Sequence, residues 1–387
     1  MCEMSDMLDK KDNNCVFEDN TAPKELEELV SLPLTMDGVQ LTGGTLTAFA
    51  ESYVKREGHM GDLARFLVEW RKKCPTLTVL TSGSTGSPKP IAVEKIRMAN
   101  SARVTCSFLR LKKGDTALLA MPLRYIAARM MVVRALVWGL DLIVSQPSSS
   151  PLASLEKHVT FAPLTAMQVY ESLQDASTAK KLKEIDCLLI GGGAVTGPLA
   201  EALRDFPNEV WSSYGMTETL SHIALRRVNG PEASEWYTPL FGVSVRLTPD
   251  GRLAIWAPRV TEGELVTNDI AEIDGDGRFR ILGRCDNVVN TGGIKVQLEA
   301  VEELLEPVLH LPFCVTSVAD QRLGEKLVML HVGSETAENL EKLCRHVLPR
   351  YWVPRAYLRV SEIPLTETGK KARVAARELA AHIFQRA

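Results

Sequence analysis

The segment from Thr81 to Lys89 contains the residues best suited to bind a phosphate group. It reads Thr-Ser-Gly-Ser-Thr-Gly-Ser-Pro-Lys and follows a short β-prone run at 77–80. Glycines permit tight turns, so backbone N–H groups and hydroxyls can line a concave anion site, to which Lys89 adds a positive charge. The Walker pattern, in which the last glycine precedes Lys and Ser/Thr, does not occur here. The segment therefore predicts a phosphate loop of another type, although an ordinary Ser/Gly turn would have the same composition.

Four later segments carry carboxylates, hydroxyls and cations that suit a phosphate-containing substrate. They are 214–219 (Tyr-Gly-Met-Thr-Glu-Thr), 266–269 (Val-Thr-Asn-Asp), 283–286 (Gly-Arg-Cys-Asp) and 364–370 (Pro-Leu-Thr-Glu-Thr-Gly-Lys). Together with the phosphate loop, and in this order, they resemble the motifs of the adenylate-forming (AMP-binding) superfamily. That superfamily includes acyl-CoA synthetases, aryl-CoA ligases, luciferases and the adenylation domains of peptide synthetases. The resemblance runs from about Leu77 to Arg373.

The resemblance implies a reaction in two steps. A carboxylate attacks the α-phosphate of ATP, which gives an acyl-AMP and pyrophosphate, and a thiol then attacks the acyl-AMP. Both steps transfer negative charge, so positioning and cations aimed at the reacting oxygens would provide most of the catalysis. ATP, Mg²⁺ and the co-substrate CoA are the small molecules that this chemistry requires.

Each motif residue takes a role from the resemblance. The phosphate loop is expected to hold the β- and γ-phosphates through Thr81, Ser82, Gly83, Ser84, Thr85, Gly86 and Lys89. The adenosine contacts are expected to come from Gly191, Gly192, Gly193, Tyr214, Asp269 and Arg284, of which the last two bind the ribose. The expected catalytic residues are Lys370 and Thr217, at the α-phosphate, and Glu218, which binds Mg²⁺. Gly292 and Gly293 are expected to line the CoA tunnel, and Asp286 to be the hinge of a rotating C-terminal domain.

A structural role would explain several of these residues without any ligand. In isolation, Glu218 would be a surface or helix-start carboxylate, and Tyr214 an aromatic residue of the core. Asp269 and Arg284 would be a surface ion pair, and the glycine triplet a tight strand-to-helix turn. Asn268 also departs from the superfamily pattern, which has glycine before the ribose-binding aspartate.

The identity of the acid is predicted from the segment 121–131, which stands where the superfamily usually has a Pro-Leu-Phe-His-like turn beside the acyl pocket. Arg124 and Tyr125 replace Phe and His here, and Arg129 follows. An arginine suits a second carboxylate and a tyrosine suits an aromatic ring, and Ser221 is expected to line the same pocket. These features resemble the o-succinylbenzoate–CoA ligases of menaquinone biosynthesis, in their short bacterial form. A structural salt bridge would also explain Arg124 or Arg129.

Two other functions fit the same motifs. One is a different aryl- or acyl-CoA ligase, or an enzyme that loads the thiol of a carrier protein. The other is a non-catalytic adenylate-binding protein, which is disfavoured because the charged motif residues occur together: Lys89, Glu218, Asp269, Arg284 and Lys370. The phosphate loop begins at position 81, whereas longer members of the superfamily carry a further subdomain before it. We therefore expect a reduced N-terminal region, with consequences for the acyl pocket and the dimer interface.

Composition and charge narrow the choice of partners. The chain has 387 residues and a net charge of −3, which gives no global basis for binding nucleic acid. Its longest apolar stretch, 130–144, is interrupted by Arg134 and Asp141 and is too short to span a bilayer. Eight scattered cysteines without a Cys-x2-Cys pair indicate neither a zinc site nor a disulfide framework. They favour reduced thiols in a cytoplasmic enzyme, for which we expect a carboxylic acid, ATP and CoA as partners, and a homodimer.

An α/β fold must position these residues. Residues 77–214 alternate strand-like and helix-like runs, which predicts a doubly wound parallel sheet with its ligand site at the carboxyl ends of the strands. We expect strands at 116–121, 142–145, 158–162 and 187–190, and helices at 126–138, 152–157, 165–173 and 196–206. Alternating runs between Asp-Gly turns predict a small antiparallel β subdomain over 236–285. The predicted domains are a polar extension (1–22), an AMP-binding domain (23–285) and a mobile α+β C-terminal domain (286–387).

Overall fold

The computed structural model describes residues 24–80, 90–193, 195, 197–366 and 369–386. The helices in these ranges are α1 (Lys24–Val30), α2 (Gly43–Tyr53), α3 (His59–Arg71), α4 (Lys95–Phe108), α5 (Ile126–Trp138), α6 (Ala166–Leu173), α7 (Ala176–Lys183), α8 (Gly197–Leu203), α9 (Leu298–Leu305), α10 (Ala337–Val347) and α11 (Arg373–Arg386). Two short 3₁₀ helices lie at Thr217–Thr219 and Cys285–Asn287.

The strands in the same ranges are β1 (Leu34–Met36), β2 (Val39–Leu41), β3 (Thr76–Leu80), β4 (Pro90–Glu94), β5 (Thr116–Leu119), β6 (Asp141–Val144), β7 (Phe161–Thr165), β8 (Cys187–Gly191), β9 (Glu209–Gly215), β10 (His222–Arg227), β11 (Thr238–Pro239), β12 (Ser244–Leu247), β13 (Arg252–Trp256), β14 (Glu264–Ile273), β15 (Phe279–Arg284), β16 (Val288–Thr291), β17 (Ile294–Gln297), β18 (Phe313–Asp320), β19 (Gly324–His331) and β20 (Ala356–Arg359).

Nine strands form the central sheet, in the order β11-β10-β9-β8-β7-β5-β6-β1-β2. The six strands from β9 to β1 in this order run parallel. At the two edges, β2, β10 and β11 add antiparallel strands. Helices cover both faces of the parallel part, which confirms the predicted doubly wound α/β class.

Apolar side chains alternate along the parallel strands and so build one core on each face of the sheet. Leu119 and Leu189 belong to the core that α2 to α5 cover, whereas Leu118 and Leu188 belong to the core that α6 to α8 cover. All four side chains are buried. Burial on both faces accounts for the continuous apolar runs of these strands, and it fixes the edge at which their carboxyl ends meet.

The strand before the phosphate loop is not part of the central sheet. Within the described residues, β3 pairs with β4 alone, antiparallel from Thr76 opposite Glu94 to Leu80 opposite Pro90. We expected the loop to follow a strand of the parallel sheet, and the structure corrects this: the loop is the connection of a separate hairpin. The loop itself, Thr81 to Lys89, lies outside the described residues.

Two smaller sheets follow the central one along the chain. The antiparallel sheet β12-β13-β14-β15 has its own core, which includes Ile255 and Phe279. The C-terminal sheet has the order β17-β16-β19-β18, with β20 parallel to β19. Apolar residues of α9 and α10 pack on one face of the C-terminal sheet, and those of α11 pack on the other. The predicted β subdomain and α+β unit are both present, while the domain boundaries stay predictions.

Two predicted elements between β6 and α6 are wrong. Residues 152–157 form a turn and irregular backbone instead of a helix, and the Lys181 ammonium donates to the carbonyls of Leu152 and Ala153 at 3.0 and 2.9 Å. The strand expected at 158–162 lies three residues later, at Phe161–Thr165. Pro163 argues against a central strand, but β7 pairs with β5 only at Phe161 opposite Ala117, so the missing N–H group is tolerated.

The cysteines and the hydropathy of the helices were also the subject of predictions. The free cysteines are Cys106, Cys187, Cys285, Cys314 and Cys344. These five thiols agree with the expectation of reduced cysteines. None of the helices in the described part of the chain has the length and hydropathy that crossing a bilayer would require.

Candidate active site

The glycine triplet lies where the carboxyl ends of β7, β8 and β9 meet. Gly191 ends β8, and Gly192 has a φ of 72°, which favours glycine. A Cβ atom at Gly191 would come within 2.9 Å of Ser213 Oγ, and one at Gly192 or Gly193 would reach the start of α6 at 3.7 Å. The triplet is therefore a close-packed stretch of backbone, whose shape suits one side of a flat ring such as adenine.

Tyr214, near the end of β9, contacts the candidate ribose ligand Asp269. The Tyr214 hydroxyl donates a 2.5 Å hydrogen bond to Asp269 Oδ2, and the ring packs edge-on against Phe279, with 5.1 Å between centroids. Burial, and then the charge of Asp269, raise the pKa of the Tyr214 phenol, so its hydroxyl remains a donor. Tyr214 thus belongs to the packing of the β subdomain and at the same time orients a carboxylate of the site.

Arg284 joins this pair from the adjacent strand. Pairing of β14 with β15 places Asp269 opposite Arg284, and Arg284 Nη1 donates to Asp269 Oδ1 at 3.2 Å. The other edge of the guanidinium donates twice to Asp286, at 2.9 and 2.7 Å, and these bonds raise the pKa of Arg284. Each Asp269 oxygen accepts one of these hydrogen bonds from a side chain and keeps a further lone pair, so Asp269 can still accept from two ribose hydroxyls.

The segment after β9 is a constrained turn. A Cβ atom at Gly215 would lie 2.3 Å from the Ser221 carbonyl oxygen, so only glycine fits this close approach. Leu220 has a φ of 64°, a conformation that costs about 1–3 kcal/mol for a residue with a side chain. The Thr219 hydroxyl holds the turn by donating to Ser221 O at 2.7 Å. This constraint buries Thr217 and leaves the neighbouring carboxylate of Glu218 exposed, where it can reach a bound ligand.

Lys370 is presented to this site by a short hairpin in the C-terminal part of the chain. Gly369 packs against Met167 in the first turn of α6, so closely that a Cβ atom at position 369 would lie 3.0 Å from the Met167 sulfur. Lys370 remains open to solvent, but desolvation by the surrounding protein lowers the pKa of its ammonium. Asp269 opposes this shift and Arg284 adds to it. The charges of Asp269, Arg284 and Lys370, from three separate motifs, are therefore close enough to influence one another.

Two sets of predicted residues are not brought to this place by the described structure. The phosphate-loop residues, Thr81, Ser82, Gly83, Ser84, Thr85, Gly86 and Lys89, lie outside the described residues. Gly292 and Gly293, with φ of 60° and 83°, form the tip of the β16–β17 hairpin. The base of that hairpin is at the site, because Gln297 Nε2 donates to Arg284 O at 2.9 Å. The tip lies four residues further along β17, about 13 Å away at the usual rise of a strand.

The predicted acyl-pocket residues have differing environments. Arg124 is exposed and stacks on Tyr125, with 4.8 Å from its Cζ to the ring centroid. Arg129 donates to Leu123 O at 2.9 Å and to Thr78 O at 2.8 Å. These bonds tie α5 to β3, the strand that leads into the phosphate loop. The contacts of Arg129 thus support the structural alternative, while those of Arg124 leave its role a prediction.

Arg134 on α5 is a buried arginine that the sequence did not indicate as a site residue. It is 2% exposed, and no described carboxylate lies within ion-pair distance of it. Its Nη2 donates to Ser221 Oγ at 2.6 Å, whereas its Nε is buried without a partner. Burial lowers the pKa of Arg134 to about 10, which leaves it charged at neutral pH. The sequence signal that could have found it is its charge within the apolar stretch 130–144.

His222 completes the cluster around Arg134 as a neutral ring. Its Nε2 lies 2.9 Å from Thr105 Oγ1, and the Thr105 hydroxyl can donate to Ser101 O at 3.0 Å. The network is satisfied if His222 Nε2–H donates to Thr105, so that Nδ1 accepts from Ser221 Oγ at 3.4 Å. Burial and then the positive charge of Arg134 hold the pKa of His222 well below its ordinary value. The cluster therefore carries one net positive charge beside Ser221.

The donor set fits a magnesium ion only in the presence of phosphate. Mg²⁺ is commonly bound through one or two carboxylates together with substrate phosphate oxygens. Glu218 offers one such exposed carboxylate, and the described residues contain no cluster of three or more potential metal ligands. Glu218 is the residue that would hold the ion, which would neutralise charge on the phosphate oxygens.

Comparison with known proteins identifies the family to which this chain is similar. The AMP-binding enzyme family matches residues 3–270, and the AMP-binding enzyme C-terminal domain matches residues 313–370. A 2-succinylbenzoate–CoA ligase of Bacillus cytotoxicus is 26% identical over 78% of this chain and 69% of its own length. A probable 2-succinylbenzoate–CoA ligase of Mycobacterium tuberculosis is 30% identical over 77% of this chain and 83% of its own length.

Solved structures show the same likeness. The acyl-CoA synthetase (AMP-forming)/AMP-acid ligase II-like protein of Dyadobacter fermentans is 31% identical, with a TM-score of 0.58 over 88% of this chain and 97% of that one. The O-succinylbenzoate coenzyme A synthetase of Bacillus subtilis, in complex with ATP and magnesium ion, has a TM-score of 0.65 at 23% identity, over 77% of this chain and 68% of that one. The second likeness concerns the fold.

The fold and the motif geometry define an adenylate-forming type of enzyme. The family match over more than half of the sequence settles the membership: this chain belongs to the AMP-binding enzyme family. The resemblance inferred from the sequence is confirmed, and with it the expectation of an enzyme.

Proposed function

We propose that this chain is an ATP-dependent, AMP-forming acid–CoA ligase that converts 2-succinylbenzoate (o-succinylbenzoate) to its CoA thioester, in menaquinone biosynthesis. The AMP-binding family and the relatives named as 2-succinylbenzoate–CoA ligases support the class of reaction. The observation that carries the choice of acid is Arg134, a buried guanidinium with an unused donor beside Ser221.

Burying an arginine without a carboxylate beside it costs free energy, which a bound anionic partner would offset. Removing a charged group from water carries a penalty of several kcal/mol, which a nearby opposite charge offsets. Among the described residues, only the neutral oxygen of Ser221 accepts a hydrogen bond from Arg134, and strongly shifted groups of this kind cluster at functional sites. A substrate with a second carboxylate would supply the missing charge. 2-Succinylbenzoate has two carboxylates, so one can be activated while the other pairs with Arg134.

In the adenylation step the residues of this chain would bind and orient the reactants. Asp269 would accept from the ribose hydroxyls, held in place by Tyr214 and Arg284. Thr217 and Lys370 would donate to the α-phosphate, where charge develops as the acid attacks and pyrophosphate leaves. Such preorganised donors act on charge that is larger in the transition state than in the ground state, which lowers the barrier.

The thioester step would follow a rotation of the C-terminal domain. We propose that residues 286–387 form this domain, that residues 23–285 form the AMP-binding domain, and that Asp286 is the hinge. The Arg284–Asp286 pair and the Gln297–Arg284 hydrogen bond join the two sides of the hinge in the present structure. Rotation would withdraw Lys370 and bring Gly292 and Gly293 to the entry path of CoA.

The compartment and the assembly belong to the same proposal. ATP and CoA are abundant in the cytoplasm, where we place the enzyme. A homodimer stays a prediction.

The test is pyrophosphate release with Mg-ATP and a panel of acids. The panel is 2-succinylbenzoate, benzoate, a medium-chain fatty acid and an amino acid, each assayed with and without CoA. We expect release with 2-succinylbenzoate at a kcat/KM at least tenfold above the others, with CoA needed for turnover beyond the first equivalent.

The other outcomes separate the parts of the proposal. Activity with a different acid would retain the adenylation chemistry and reject the substrate. Acyl-AMP that accumulates and does not react with CoA would indicate another thiol, such as that of a carrier protein. ATP binding in calorimetry without pyrophosphate release from any acid would favour a non-catalytic adenylate-binding protein.

A further inference from the structure

A buried carboxylate on α9, Glu302, has no place in the motifs but contacts the segment that bears Lys370. It is 5% exposed. Its two oxygens accept from Arg373 Nη1 and Nη2 at 2.8 and 2.7 Å, and the backbone N–H of Val315 adds a third bond at 2.8 Å. The ammonium of Lys371 lies 2.9 Å from Oε2. One carboxylate thus faces two cations, which come from positions 371 and 373.

Lys371 belongs to the closing side of the hairpin that presents Lys370, and Arg373, two positions further on, is the first residue of α11. The hairpin is joined by backbone hydrogen bonds from Thr366 N to Lys370 O at 2.7 Å and from Ala372 N to Pro364 O at 2.9 Å. Lys370 N also donates to Thr366 Oγ1 at 3.1 Å. Successive side chains of an extended segment point to opposite sides. Because Lys371 is directed inward to Glu302, Lys370 is directed outward.

The outward side of the hairpin is the candidate active site. Lys370 is near enough to Asp269 and Arg284 for their charges to shift its pKa, and Gly369 packs on Met167 of α6. The position of the Lys370 ammonium therefore depends on how firmly Lys371 and Arg373 hold the hairpin to α9.

The same helix is fixed to the hinge one turn earlier. Glu299 accepts hydrogen bonds from the side-chain amides of Asn287 and Gln297, and Gln297 in turn donates to Arg284 O at 2.9 Å. Arg373 lies between the two carboxylates, 3.8 Å from Glu299 and 2.7 Å from Glu302. Helix α9 thus sets the span between the proposed hinge and the lysine hairpin.

We propose that Glu302 is a positioning residue for the adenylation step: by binding Lys371 and Arg373 it holds the hairpin so that Lys370 reaches the α-phosphate. This inference rests on the proposed function. A general structural role would affect both half-reactions, whereas positioning of Lys370 affects the half-reaction in which Lys370 acts.

The test is the variant Glu302→Gln, which keeps the shape of the side chain and removes its charge. Pyrophosphate release from Mg-ATP and acid measures adenylation, and thioester formation from supplied acyl-AMP and CoA measures the second step. We expect adenylation to fall by tenfold or more, while thioester formation stays within about twofold of the wild-type rate. In the Lys370→Ala background, Glu302→Gln should cause little further loss of adenylation, since residues that act through one group are not additive.

A matched control removes a similar ion pair elsewhere in the C-terminal part. Glu341 on α10 accepts from Arg345 at 2.9 and 2.6 Å and is partly exposed, so Glu341→Gln should change neither half-reaction. If Glu302→Gln does not fold, Lys371→Met is assayed in the same way, because it removes one of the two cations and leaves the Arg373–Glu302 pair in place. The same preference for loss of adenylation is expected.

Several results would overturn the inference. Equal losses in both half-reactions, full additivity with Lys370→Ala, or unchanged adenylation in a folded Glu302→Gln enzyme would each assign Glu302 a role in stability alone. A wild-type enzyme that forms no acyl-AMP from any acid would instead reject the proposed function, and this inference with it.

Discussion

Replacement of the buried arginine, Arg134→Met, tests the substrate assignment most sharply. Methionine has a similar length and no charge, so it removes the guanidinium without leaving a large cavity. Burial lowers the pKa of Arg134 from its ordinary value to about 10, which corresponds to a cost of about 3 kcal/mol for the charged form at 1.36 kcal/mol per pKa unit. We therefore expect the substitution to leave the free energy of unfolding unchanged or to raise it.

Although Arg134→Met should not destabilise the fold, it should lower the catalytic efficiency with 2-succinylbenzoate. Loss of one partner of a buried, hydrogen-bonded charge pair typically costs about 2–5 kcal/mol, so kcat/KM for 2-succinylbenzoate should fall by about thirtyfold or more. For 4-oxo-4-phenylbutanoate, which has the same skeleton without the ring carboxylate, the two enzymes should differ by less than about threefold, because there is no charge for Arg134 to bind.

The assay is pyrophosphate release over a range of acid concentrations, with thermal unfolding of each variant beside it. Arg124→Ala is the comparison variant, because Arg124 is exposed and is the arginine that the sequence placed in the acyl pocket. Three results would refute the reasoning: equal losses for both acids in Arg134→Met, a strong destabilisation of that variant, or a larger loss of dicarboxylate selectivity in Arg124→Ala.

Three further substitutions or titrations test the nucleotide side of the site. Lys370→Ala should lower the rate of adenylation by about a hundredfold or more and leave thioester formation from supplied acyl-AMP nearly unchanged; equal losses in both half-reactions would reject its role. The pKa of Lys370 is lowered by burial, so its charge is lost at a lower pH than that of an ordinary lysine. The alkaline limb of kcat/KM for adenylation should accordingly begin below pH 10.5 and move upward in Lys370→Arg; a limb that stays fixed in that variant would belong to another group. Tyr214→Phe removes the hydrogen bond to Asp269 and should destabilise the fold by about 1–2 kcal/mol and weaken AMP binding several-fold in calorimetry, whereas unchanged affinity would show that Asp269 needs no such support.

The arrangement of the nucleotide motifs was largely predictable from the sequence. Asp269 and Arg284 are separated by a hairpin whose Asp-Gly turn and alternating strands are visible in the sequence, and the resulting register places the two side chains opposite each other. Gly191 and Tyr214 each follow a strand-like run, and parallel strands bring their carboxyl ends to one edge. Local signals and one topological rule were sufficient here.

The residues of the proposed acid-binding pocket could not be predicted in the same way. Arg124 and Arg129 stand in a recognisable turn, whereas Arg134 lies in the middle of α5, whose burial on every side depends on both α4 and the central sheet. From the sequence alone, a charged residue in an apolar helix could equally face solvent. The neighbouring elements must be known before its burial can be predicted. The segment 152–157 was also predicted wrongly, and there the carbonyls of Leu152 and Ala153 accept hydrogen bonds from Lys181, which is distant in sequence.

The central claim is that this chain joins an acid to AMP before it joins it to a thiol. The most direct measurement is a single turnover of enzyme, Mg-ATP and 2-succinylbenzoate, quenched and analysed by mass spectrometry, with CoA added to half of the sample. We predict one equivalent of acyl-AMP without CoA, and its conversion to the CoA thioester and AMP when CoA is added. Thioester formation with release of ADP and phosphate, or ATP that remains intact with every acid of the panel, would contradict the account.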